Sequence, residues 1–234
     1  MLKKIAFIGL FVCTVTALRA QKHWSKIYSD RDLSRDTITK RGITLIFINK
    51  EKEFSRAEQL RMQETFFKIY PQEIKTYNKK AAKKVAMIID PDYTGVAATS
   101  GNVIRVNPQW MAKHPEDLDV VTHEAMHIVQ AYQGHSGPGW ITEGIADYVR
   151  HQFGVNNKAA GWSLTPFNAK QSYTNAYRIT ARFLLWITQK YKKHFVRSLN
   201  TAMREGTYTA RFWKMQTGKT VDELWAIYSQ DPVI

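Results

Sequence analysis

Two histidines four positions apart, His123 and His127 in "HEAMHIVQAY", could hold one metal ion if the segment is helical. Positions four apart differ by about 40° around a helix axis, so both imidazoles point the same way, one turn apart. Glu124 follows the first histidine and can act on a metal-bound water. H-E-x-x-H is the arrangement that zinc hydrolases use for this. The flanking residues separate chemistry from coincidence. Leu118, Val120, Val121, Ala125, Met126, Ile128 and Val129 make the segment apolar on nearly all sides, so it is expected to be a buried helix. Two imidazoles and a carboxylate buried without partners would cost several kcal/mol, and a Zn2+ ion removes that penalty.

A zinc site of this kind needs a third protein ligand. The metzincin pattern is excluded, because Gln130 and Gln133 stand where it requires glycine and histidine. His135, in the turn "GHSGPG", is one candidate. Glu143 is the better one. It belongs to the next expected helix, "WITEGIADY", where Gly144 and Ala146 are small enough for two helices to approach closely. Asp147 lies one turn beyond on the same face and can accept the free ring N–H of a ligand histidine, fixing its tautomer. Trp140, Ile141, Ile145 and Val149 argue against a merely solvated acidic face.

Peptide chemistry would also need a second group to hold the developing oxyanion. Tyr173 ranks first for that role, ahead of Tyr177 and His135. The run "SGNVIRVNP" suits a strand, and its Asn102, Val103 and Ile104 could bind an extended substrate by β-augmentation, or the strand could equally be an interior one. Phe183, Trp186 and Tyr191 read as core.

Around these residues the chain alternates strands and helices, then turns wholly helical. "GITLIFIN" and "KVAMIID" are short β-branched runs of strand type. Ser55 caps a helical pattern running to about Asn78, which Pro71 is expected to kink or divide. The helix carrying His123 is expected from about Pro115 to Gly134, with Glu116, Asp117 and Asp119 against its dipole. The Glu143 helix spans Pro138 to Gly154, with proline at its start and glycine at its end. From Thr174 to Tyr228 the pattern is helical, broken near Gly206 and Gly218. This is an α+β architecture: a small N-terminal sheet with helices, then a mainly helical C-terminal lobe.

The first 20 residues, with Lys3 and Lys4 before an apolar run and small residues after it, read as a secretory signal peptide. That points to a secreted or periplasmic protein; an uncleaved anchor and a lipoprotein at Cys13 fit less well, since Val12 is bulky. Residues 21–41 are polar without a clear period and read as a loose lead-in. Residues 42–234 form a single catalytic domain in two lobes. Cys13 is the only cysteine, so neither a thiolate ligand nor a cysteine nucleophile is available to the mature chain. The formal charge of +14 falls to +11 once Lys3, Lys4 and Arg19 are removed. Such a surface attracts anionic cell-surface polymers. Specific nucleic-acid recognition would need a module that the sequence lacks.

"HEAMHIVQAY", "GWITEGIADYVR", "SYTNAYRITARFLLWI" and "TGKTVDELWAIY" together resemble the basic secretory protein family of zinc peptidases, known from plants and microbes. The resemblance runs from about residue 40 to 229. It implies a zincin-like fold with a glutamate as third zinc ligand, in the manner of thermolysin-like enzymes. Carried onto this chain, it makes His123, His127 and Glu143 the zinc ligands and Glu124 the general base. The interval from His127 to Glu143 is shorter than in thermolysin.

The expected function is therefore a secreted zinc-dependent endopeptidase acting on peptide or protein substrates. Two alternatives stand beside it. One is a non-catalytic basic protein binding anionic polymers, against which the intact Glu124 counts. The other is a zinc hydrolase of a non-protein amide.

Overall fold

The computed structural model describes residues 28–134 and 136–234. The signal segment with Cys13, the N-terminal part of the lead-in and His135 lie outside the described residues.

Residues 34–40, expected within the loose lead-in, form the first strand, β1 (Ser34–Lys40). It is an edge strand, and polar residues occupy both its faces, so it has no hydrophobic alternation to read. Its half-buried Asp36 accepts hydrogen bonds from Arg56, Gln59 and Gln63 of the following helix. The strand β2 (Ile43–Asn49) pairs antiparallel with β1. Helix α1 (Arg56–Tyr77) starts on Ser55, whose side chain accepts from the Glu58 amide, and runs undivided through Pro71. Its buried face includes Met62, Phe66, Ile69 and Tyr70, whereas Leu60 is exposed.

Strand β3 (Lys84–Ile89) lies parallel to β2. The strand expected within Ser100–Pro108 forms, and an unexpected strand precedes it as the other half of a hairpin. Strand β4 (Ala97–Ser100) turns at Gly101, whose φ of +59° suits glycine, into β5 (Val103–Val106). The sheet order is β1-β2-β3-β5-β4, with β5 parallel to β3 and antiparallel to β4. β5 is thus interior and β4 is the edge.

After the short α2 (Pro108–Lys113), helix α3 (Val120–Gln130) carries His123 and His127. It is shorter than expected at both ends. Ala131 adopts the left-handed conformation (φ 46°) and ends it before Gly134 is reached. Glu116 and Asp117 precede the helix and serve tertiary contacts instead. Asp119 accepts from the amides of Val155 and Asn156 at 2.8 and 2.5 Å, tying the start of α3 to a later loop.

Helix α4 (Gly139–Phe153) carries Glu143 and Asp147, and Gly154 ends it as expected. A 3-10 turn, Tyr173–Asn175, leads into α5 (Tyr177–Lys190), followed by α6 (Phe195–Arg204), α7 (Arg211–Thr217) and α8 (Val221–Gln230). A mixed N-terminal sheet is thus followed by a mostly helical region. Phe183 and Trp186 belong to the main core, as expected. Gly144 lets two helices approach closely, as expected, and its neighbour is α5. A Cβ there would collide with Thr180 of that helix. Among the described residues no helix is long and apolar enough to cross a membrane.

Candidate metal centre

The buried face of α3 and the first two turns of α4 converge on one point. His123 Nε2 lies 3.1 Å from His127 Nε2 and 3.1 Å from Glu143 Oε2, and His127 Nε2 lies 3.5 Å from the same oxygen. A tetrahedral zinc with ligand bonds of about 2.0–2.1 Å holds its ligand atoms about 3.3–3.4 Å apart. The observed triangle matches that edge length. His123, His127 and Glu143 are the group of metal-ligating side chains that the described residues bring together.

The other ring nitrogens explain why both Nε2 atoms are free for a cation. His123 Nδ1 lies 2.7 Å from Asp147 Oδ1, and His127 Nδ1 lies 2.7 Å from Gln130 Oε1. The Gln130 amide donates in turn to the Thr142 carbonyl at 2.9 Å, which fixes its orientation. Both imidazoles therefore carry a proton on Nδ1 and aim an Nε2 lone pair at the shared point. Without a metal, the carboxylates favour the charged form of the His123 ring. Burial opposes protonation of His123, but the hydrogen bonds with Asp147 and Glu143 outweigh it and push its pKa up to about 10. Burial likewise works against the Glu143 carboxylate, yet the two histidines hold its pKa well below the usual range. The site is built to balance anionic groups with a cation.

Glu124 is buried beside this cluster, and its carboxylate Oε2 accepts from Thr99 Oγ1 at 2.7 Å. Thr99 belongs to β4, so the edge strand orients the carboxylate of α3. A cleft of about 1070 Å³ runs over the cluster, and its lining includes β4 with its preceding loop and Trp162, Tyr177 and Arg178.

Two expectations are corrected here. Tyr173 does not line the cleft. Its hydroxyl donates to Asp222 at 2.7 Å, which with burial raises its pKa to about 12, and its ring packs on Trp140, Phe183 and Trp225. Tyr177 does line the cleft, and its ring stacks on His123 with centroids 6.1 Å apart. Ala176 (φ 62°, ψ −171°) and Tyr177 (φ 48°) both hold left-handed backbone that non-glycine residues avoid. Such conformations cost about 1–3 kcal/mol each and concentrate at functional sites. Asn102, Val103 and Ile104 are likewise unsuited to pairing with a substrate. β5 is bonded on both sides, Val103 and Ile104 are buried, and the Asn102 carbonyl accepts from the Ala86 amide. The free edge belongs to β4.

The contacts of Thr99 with Glu124 and of Gln130 with His127 are not among the expected features of the site. Gln130 was within reach, since residues three apart on a helix are neighbours. Thr99 was not, because the hairpin that brings it to Glu124 is a tertiary feature.

A family model described as a peptidase of plants and bacteria, BSP, matches residues 44–228. The chain belongs to the BSP family. The family resemblance read from the motifs is therefore correct. No curated protein sequence matches the chain. Solved structures extend the likeness at the level of fold. An M1 zinc metallopeptidase bound to L-tryptophan superposes with a TM-score of 0.54 at 13% identity, covering 86% of this chain and 52% of its own. An M1 zinc metallopeptidase from Deinococcus radiodurans, bound to a Tyr-Ser-Ala substrate, gives 0.52 at 13% identity, covering 86% and 53%. The BSP chain thus spans about half the length of these structures. Its sheet and following helices resemble the zincin-like fold of the M1 metallopeptidases.

Proposed function

We propose that this BSP-family protein is a secreted zinc-dependent endopeptidase. The observation that carries the reading is the triangle of His123, His127 and Glu143 with Glu124 beside it at the floor of an open cleft. His123, His127 and Glu143 would hold the ion. Bound zinc supplies Lewis acidity, lowering the pKa of water toward about 7 and polarising a carbonyl.

The chain's own residues do the rest. Glu124, oriented by Thr99, takes the proton of the attacking water and returns it to the leaving amine. Tyr177 donates its phenolic proton toward the oxyanion. Glu143, more than burial, raises the Tyr177 pKa, which keeps the hydroxyl protonated and able to donate. Asp147 and Gln130 hold the two imidazoles in their ligand tautomers. An extended peptide adds to the edge of β4 at Thr99, beyond the Ala97 carbonyl that already accepts from the Tyr93 hydroxyl, which gives backbone binding tolerant of sequence.

The test is the pair formed by the parent and Glu124→Gln, assayed on an unstructured protein substrate. The parent is expected to show cleavage that a chelator abolishes. The variant is expected to keep its zinc and lose about 10²–10⁴ in kcat. Parental turnover by the variant would remove Glu124 from its role. A non-protein amide as the sole substrate would move the reading to the other hydrolase class.

A further inference from the structure

The cleft walls carry charge that the metal centre does not use. Two acids line the cleft away from the metal ligands, and both are already neutralised. Glu116 pairs with Arg61 at 2.6 Å and accepts from Asn156 at 2.8 Å. Asp117 pairs with Arg150 at 2.5 Å and accepts from the Trp110 indole at 2.9 Å. That pairing also uses up Arg150, which in addition lies over the Trp162 ring. Two cations remain. Arg178 and Lys113 both line the cleft, both are exposed, and neither is paired with an acidic side chain among the described residues.

Their placement is defined by the backbone. Arg178 directly follows Tyr177, whose ring stacks on His123, and the left-handed pair Ala176–Tyr177 fixes how the chain enters α5. Arg178 therefore stands one residue from the reaction centre. Lys113 closes α2 on another part of the cleft lining. A ligand lying in the cleft meets two uncompensated cations outside the metal centre and no uncompensated anion.

Resting on the peptidase reading, the geometry points to acidic peptides as the substrate class, with Arg178 and Lys113 as specificity-determining residues. Aspartate or glutamate near the scissile bond is selected by charge complementarity with Arg178, and a second acidic residue farther along the peptide by Lys113. A basic residue at the same position meets Arg178 and is rejected by like-charge repulsion.

Binding tests this without depending on turnover. Two fluorescently labelled peptides of equal length and equal apolar content, one with glutamates and one with lysines around the central bond, are titrated into zinc-loaded Glu124→Gln protein. The acidic peptide is expected to bind about three- to tenfold more tightly, the range for one or two exposed charge pairs. Adding Arg178→Glu should reverse the order, and Lys113→Glu should narrow it. Lys79→Glu makes the same change in net charge outside the cleft and should leave the order unchanged. Equal affinities for the two peptides would overturn the proposal. So would an equal loss of preference in Arg178→Glu and Lys79→Glu, since the selection would then come from overall charge. If the parent cleaves neither peptide but the preference and its reversal persist, the peptidase reading fails and the charge selection stands. If both peptides are bound and cleaved equally, the peptidase reading survives and the charge selection falls.

Discussion

Nδ1 of His123 on α3 lies 2.7 Å from Oδ1 of Asp147 on α4, and both side chains are almost fully buried. This contact joins the two helices that carry His123, His127 and Glu143 and leaves Nε2 of His123 facing the other two side chains of that cluster. Carboxylates behind ligand histidines contribute about 10–100-fold to metal affinity. Asp147→Asn should weaken zinc binding by about that factor while the protein stays folded, which a competitive chelator titration measures. Unchanged affinity would show that His123 is oriented by other contacts.

Tyr177 should matter to turnover more than to binding. Removing one oxyanion donor typically costs about 10²–10³ in kcat. Tyr177→Phe should therefore lower kcat with little change in KM, whereas Tyr173→Phe, outside the cleft lining, should leave both near the parental values. Steady-state kinetics on one peptide separates the two tyrosines.

The position of Tyr177 also marks where sequence reading ends. The helix with H-E-A-M-H, the glutamate on the next helix and Asp147 one turn later were legible, because helical spacing alone puts them on one face and their apolar neighbours require burial. β2, β3 and α4 were legible for the same reason: period, β-branching and a glycine stop. Other features depend on contacts distant in sequence. β1 has polar residues facing α1 and shows no alternation. β4 is a four-residue strand whose role is to bring Thr99 to Glu124. The choice of Tyr177 over Tyr173 is made by the left-handed backbone at Ala176 and Tyr177, which no local residue type announces.

Glu73 gives a pH-dependent prediction. It is fully buried on α1, and neither carboxylate oxygen has a hydrogen-bond partner among the described residues. Burial raises its pKa well above the ordinary carboxylate value, against the pull of His123. The folded state thus holds the proton more tightly than the unfolded chain. Stability from this group is complete below the unfolded value of 4.5 and is lost as pH rises toward the folded one. Glu73→Met should raise the Tm at neutral pH, and the gain should shrink as pH falls to about 4. Thermal melts of metal-free protein across that range check it; a gain independent of pH would mean that packing, not charge, limits this position.

The most direct measurement is anomalous diffraction at the zinc edge from crystals of the zinc-loaded protein. One peak per chain is expected, within about 2.0–2.2 Å of His123 Nε2, His127 Nε2 and a Glu143 oxygen, with a coordination position left open toward the cleft. A peak elsewhere in the chain, a fourth protein ligand closing that position, or no peak at these three side chains at saturating zinc would contradict it.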